Sequence, residues 1–267
     1  SGHGSTVKDP HRIIDDVNGT IVPVDAQLPD GFPQRGGEVD DITAGTIFLL
    51  REALGRKTKN VTFLLDSCYS GGGVRGNLVA RSRPGQVELR GETQKSNLEA
   101  SREEIEYQQR WLKDLQLSQA EWIERRKQNL VNGVAIFAAQ RNQQAVDAAF
   151  APGVHAGVFT YSLVRQLWQQ TSNQGMGKVV LAASAKTQQF LKNSQSQTPA
   201  FEMGQGGDAQ QPLYFTPMQK PAAEAVITEV QGKTVKLLLT GAEPQVLEAL
   251  GKGAVFTLVD DTGKPQG

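Results

Sequence analysis

The sequence predicts an α/β fold: a mostly parallel sheet flanked by helices, with a long helical insert and a β-rich segment at the C-terminal end. Three observations carry that expectation. Val61-Thr62-Phe63-Leu64-Leu65 is an unbroken apolar run of strand-forming residues. Its length and lack of alternation fit a strand buried on both faces, as in a parallel sheet. Gly133 to Ala139 (GVAIFAA) is a second such run, and helical patterns lie around both. Strands alternating with helices are the signature of an α/β layer architecture.

Composition narrows the function classes. The 267 residues have room for one large domain or one domain and an accessory. Lys and Arg total 28 and Asp and Glu total 28, so no general attraction to nucleic acid or to a membrane surface is implied. No stretch approaches the about 20 apolar residues that span a bilayer. Cys68 is the only cysteine, which argues against a disulfide scaffold and suits a reducing, cytoplasmic compartment. The chain opens without Met and stops directly after a strand-like run, so it reads as part of a longer protein whose upstream segment would decide targeting.

The elements follow in order. His3 opens the chain between Gly2 and Gly4, in a loop where backbone can approach a ligand closely. Residues 7 to 19 are polar and carry Asp9-Pro10 and Asn18-Gly19, so they read as loop and turn. Thr20 to Asp25 reads as a short strand, with Pro23 suggesting a sheet edge. After a Pro/Gly-rich loop, a helix begins at Asp40-Asp41, shows its apolar stripe at Ile42, Ile47, Leu50 and Leu54, and stops at Gly55. The insert occupies about 75–130. Ser101-Arg102-Glu103-Glu104 has the spacing of a capping box, and Ile105, Leu112, Leu115 and Trp122 recur at heptad-like intervals. This is a long amphipathic helix or one arm of a helical hairpin, packed on its own domain or offered to a protein partner.

Beyond the second strand, Phe159–Trp168 and Val179–Leu191 read as amphipathic helices. Leu213-Tyr214-Phe215 is a short closing strand, which puts the first domain at 1–216. A linker then leads to a partial β-rich unit over 220–267, with strands at Ala225–Val230, Val235–Leu239 and Ala254–Val259.

The chemistry gathers where the first buried strand ends. Asp66-Ser67-Cys68-Tyr69-Ser70 is followed by three glycines, putting a carboxylate, a thiol and a flexible loop where open α/β sheets hold their ligands. A lone cysteine is by default a small buried hydrophobe. This polar, glycine-rich setting points instead to a reactive thiol. His3 lies 65 positions upstream, in a glycine-rich loop of its own. The spacing suits two loops at the ends of neighbouring parallel strands. Such an imidazole can activate the thiol and protonate a leaving amine.

SGHG at 1–4 and DSCYSGG at 66–72 resemble the His and Cys loops of caspase-like cysteine peptidases, more closely the metacaspases and bacterial orthocaspases. Gly19 to Asp25 resembles the segment after the catalytic His in metacaspases. Phe137 to Ala145 resembles the opening of the small-subunit portion, and Gly157 to Leu163 that portion's first helix. The likeness covers roughly 1–215 apart from the insert, and it implies the caspase–haemoglobinase fold, whose first strands lie upstream of the His.

By that resemblance His3 is the general acid/base, Cys68 the nucleophile, and the backbone N–H groups of Gly4 and Cys68 the oxyanion hole. The resemblance also puts Asp66 in the primary specificity pocket, implying cleavage after Arg or Lys. The alternative for Asp66 is a strand-end residue bonding nearby backbone N–H groups. Asp147 matches an acid of the small-subunit motif, with a structural role equally open. Substrates are thus peptides or proteins with basic residues. No cofactor is implied. Asp15, Asp16, Asp40 and Asp41 bring to mind the calcium some metacaspases need, but they lack EF-hand spacing and read better as turn and helix-start residues. His11 and His155 read as solvated or structural. The family's self-cleavage at basic residues points to Arg75, Arg81, Arg83 and Arg90. Two rivals stand against the peptidase: a phosphatase loop, which has one residue fewer between Cys and Arg than Cys68 and Arg75, and a catalytically inactive caspase-like scaffold binding partners through the insert and the β segment.

Overall fold

The computed structural model of the chain describes residues 2–13, 16–67, 79–80, 83, 96–130, 132–140, 143–151, 153–168, 174–192, 197–212, 223, 225–239, 246, 250–260 and 262–266. β1 (Gly4–Lys8) and β2 (Val17–Ile21) form an antiparallel pair, with Gly4 opposite Ile21 and Lys8 opposite Val17. Only the middle of 7–19 is therefore a turn, held by the Asp9 carboxylate, which accepts the N–H groups of His11 (3.0 Å) and Ile13 (3.3 Å). The flanks are strand because Val7 and Val17 bury their side chains. β2 ends before Pro23, so that proline is not a sheet-edge residue.

β3 (Gly37–Val39) and β4 (Ile42–Thr43) precede α1 (Ala44–Gly55). Ile42 pairs with Ile21 of β2, and the hydroxyl of Thr43 caps the helix by accepting the Thr46 N–H. The helix thus starts three residues later than Asp41, which is buried against the Thr20 hydroxyl. Its end at Gly55 is as expected.

β5 (Thr62–Leu65) is the edge of a three-stranded sheet, with Leu64 49% exposed. The expectation of burial on both faces fails here: Thr62 and Leu64 are exposed while Phe63 and Leu65 are half-buried. β6 (Val79–Ala80) and β7 (Leu98–Ala100) follow, and β7 runs parallel to β3. The insert holds two helices rather than one long one, α2 (Arg102–Asp114) and α3 (Gln119–Lys127). Gln116 at φ 52° breaks the run. The complete capping box is at Ser118 and Glu121. At the anticipated position, Ser101 does cap Glu104, but the Glu104 carboxylate bonds Thr43 N (2.8 Å) and the Thr46 hydroxyl (2.6 Å) of the next layer. The heptad-like stripe is largely spent internally: Leu115 and Trp122 are buried with Phe48 and Leu49 of α1.

β8 (Val134–Phe137) runs parallel to β5. Gly133 leads into it at φ +86°, and a Cβ there would lie 2.2 Å from the Val61 carbonyl oxygen, so no larger residue fits. β9 (Val146–Ala151) and β10 (Val154–Gly157) form an antiparallel hairpin, with β6 on the other side of β9. α4 (Val158–Trp168) and α5 (Met176–Leu191) cover β8, packing Phe159, Leu163, Met176, Val179 and Val180 on Val134 and Ile136. β11 (Ala200–Met203) closes that sheet antiparallel to β8. The strand expected at Leu213–Phe215 lies outside the described residues.

Parallel pairing is confined, among the described residues, to β3–β7 and β5–β8. Those pairs need long crossovers, and the insert supplies one of them, whereas the short connections produce antiparallel pairs. The sheet system is therefore mixed rather than mostly parallel. β12 (Val226–Gln231) and β13 (Thr234–Leu238) form a hairpin near the expected positions. Ala254–Val259 is not a strand; only Val259 makes a bridge, to Pro265, across a turn in which Asp260 accepts the N–H groups of Thr262 and Lys264. No helix among the described residues is long and apolar enough to cross a membrane.

Candidate active site

The site is built from strand ends. His3 precedes β1, with its carbonyl accepting the Val22 N–H at 3.0 Å and its side chain exposed. Gly4 is buried as the first residue of β1. The His loop thus leads into a strand of an antiparallel sheet, and β1 does not pair with β5 among the described residues. Cys68 lies outside the described residues, as do Arg75, Arg81 and Arg90.

Asp66 follows β5 directly and is 7% exposed. Its Oδ2 accepts the Thr160 N–H (3.2 Å) and the Thr160 hydroxyl. Thr160 stands in the first turn of α4, so Asp66 places negative charge at the positive end of that helix. Asp147 is half-buried on β9, opposite Gly157, the residue before α4, and opposite Val79 of β6. Asp66 therefore bonds the first turn of α4, and the Asp147 backbone pairs with the residue just before that helix. The bond from Asp66 to a backbone N–H agrees with its structural alternative, although the donor is distant in sequence rather than nearby.

Sequence reasoning missed a third acid. Asp41 is buried, accepts the Thr20 hydroxyl at 2.6 Å and pairs with Arg83 Nη2. Burial pushes its carboxyl above the ordinary 3.8, against the opposing pull of Thr20, Arg83 and Ser5. Arg83 is 4% exposed, so the expectation that it lies open to cleavage fails. Of the other acids, Asp16 pairs with Arg12 at 2.9 Å, Asp40 is exposed and Asp15 lies outside the described residues. No group of three or more His, Cys, Asp or Glu side chains among the described residues could hold a metal ion. His11 is half-buried, edge-on to Trp122 at 5.7 Å, while His155 is exposed on β10.

A family model described as the caspase domain matches residues 1–220. The chain belongs to the caspase family. The caspase domain carries the α/β fold of caspase–haemoglobinase type and cysteine-type peptidase activity in general. The match takes in the insert with its two helices and stops short of the β12–β13 hairpin. No curated protein matches the chain.

Proposed function

We propose that this caspase-family chain is a cysteine endopeptidase of the metacaspase or orthocaspase type, cutting after Arg or Lys. His3 takes the Cys68 thiol proton, and the sulfur attacks the substrate carbonyl carbon. The negative charge that develops on the carbonyl oxygen meets the N–H groups of Gly4 and Cys68, which aid the step only where that charge exists. The C–N bond breaks as His3 returns the proton to the leaving amine, giving a thioester. Water, deprotonated by His3, then attacks the thioester and releases the acid and the thiol.

The burial of Asp66, two residues before Cys68, carries the basic specificity. Thr160 fixes one carboxylate oxygen with two neutral donors, which sets the orientation of the group. A substrate guanidinium or ammonium entering beside it forms a desolvated pair, with Asp147 as a second acid of the pocket. Asp66→Asn tests this, because an amide oxygen still accepts both Thr160 bonds while the charge is lost. On a positional-scanning peptide library, kcat/KM for Arg and Lys substrates is expected to fall by about 30-fold or more, as for a truncated buried charge pair. An unchanged basic preference, or a wild-type preference for Asp, removes Asp66 from the pocket.

Self-processing belongs to the same reading, at Arg75, Arg81 or Arg90 but not at Arg83. Wild-type protein is expected to nick itself slowly on incubation, and Cys68→Ala protein to stay intact. Equal nicking of both in the same preparation assigns the cuts to another protease. Labelling of Cys68 by an Arg-directed acyloxymethyl ketone separates the peptidase from an inactive scaffold.

A further inference from the structure

β1 is the outer strand of its sheet, and its open edge is closed from the insert side. His3 bonds back to β2 through its carbonyl, so antiparallel alternation turns the N–H and C=O of Gly4 to the opposite edge. There the Gly4 carbonyl accepts the Arg83 N–H at 2.9 Å. Two residues on, along the same edge, the Thr6 carbonyl accepts the Ser96 hydroxyl at 2.7 Å. The Arg83 side chain turns inward to Asp41, beneath Ser5 and Thr20, which face each other across β1 and β2. Four residues before Arg83, Val79 pairs with Asp147. Val79 and Arg83, four residues apart, thus bond the strand that carries Asp147 and the peptide that follows His3.

A buried ion pair of this kind is a weak source of net stability, yet losing either partner leaves a charge stranded. What it does well is fix geometry. We infer that Arg83 is a positioning residue: through its peptide N–H and its ion pair with Asp41 it holds the Gly4 backbone so that the Gly4 N–H faces the oxyanion. This role rests on the peptidase reading above.

The test uses the full chain with Arg83→Gln and Arg83→Lys. In Arg83→Gln, kcat on an Arg substrate is expected to fall about 10²-fold, the scale of one misplaced oxyanion donor, with KM within about threefold of wild type. Inhibition by a peptide arginine aldehyde, whose hemithioacetal carries the oxyanion, weakens by a similar factor. Alkylation of Cys68 by iodoacetamide, which forms no oxyanion, stays within about twofold. Arg83→Lys keeps the charge and recovers most of the loss. Amide exchange at position 83, whose N–H donates to the Gly4 carbonyl, rises in Arg83→Gln, a readout that needs no catalysis. If that variant does not fold, Asp41→Asn/Arg83→Gln, which replaces both charges, is measured in its place.

Unchanged kcat and aldehyde binding in a folded variant overturn the role. So does a parallel loss of kcat and Cys68 alkylation with Lys no better than Gln, which marks general disruption. A wild-type protein that hydrolyses no peptide and binds no aldehyde overturns the peptidase reading itself; unchanged amide exchange at position 83 then overturns the clamp as well, whereas faster exchange leaves it standing as a backbone device.

Discussion

His3→Ala is expected to lower kcat by about 10²–10⁴-fold, the range that a positioned acid/base supplies. The folded state should stay within about 0.5 kcal/mol of wild type, as for an exposed side chain outside any cap or core. The chain enters β1 through the His3 carbonyl and Gly4, and both survive the exchange. Cys68→Ala removes the nucleophile and should cost at least as much. The double variant should be no worse than Cys68→Ala alone, because thiol and imidazole act as a unit and their losses do not add. Single-turnover kinetics on an Arg substrate, with urea titration alongside, checks all three proteins. Wild-type kcat in His3→Ala, or fully additive losses, would take the imidazole out of the reaction.

Trp122→Ala is expected to cost about 3–5 kcal/mol of stability. The indole is 3% exposed and closes the contact between α3 and α1 with Phe48, Leu49 and Leu115. Arg126 lies over its face at 5.0 Å, and Gly45 of α1 gives it room: a Cβ there would stand 3.0 Å from Cζ2. Its Nε1 is buried with no hydrogen-bond partner among the described residues, so the tryptophan carries a polar penalty along with its area. Trp122→Phe removes that penalty and keeps most of the packing, and should cost under about 1.5 kcal/mol. Urea unfolding distinguishes the two variants. A loss below about 1 kcal/mol for the alanine would mean that the insert helices add little to the domain.

How far the residues announced this structure depends on whether their burial pattern was local. β8 was legible because Val134, Ala135 and Ile136 are buried on both sides of the sheet, and α4 and α5 because their apolar stripes keep one phase. β1 was not, since GSTVK buries Ser5 and Thr6 beside Val7 and shows no apolar alternation. The β9–β10 hairpin was hidden for a related reason: Ala148, Ala149 and Ala156 have little strand propensity, and the aromatic group beside it, Phe150 stacked on Tyr161 at 3.8 Å and tilted against Phe190 at 4.8 Å, draws on two helices outside the hairpin. The His and Cys loops could be read from a handful of residues, and the family match bears out the caspase-like reading. Arg83 could not, because its partners Gly4 and Asp41 are 79 and 42 positions away and no spacing rule connects them.

The parallel pairs β3–β7 and β5–β8 both reach across the stretch 68–95. So do the packing of α1 on the insert helices and the bond of the Ser96 hydroxyl to the Thr6 carbonyl. Were the backbone severed in that stretch outside β6 and Arg83, the halves are expected to remain interleaved as one particle, each supplying strands that the other needs. Scission there should change chain continuity while leaving the hydrophobic layers joined. The protein can thus be cut in two without coming apart.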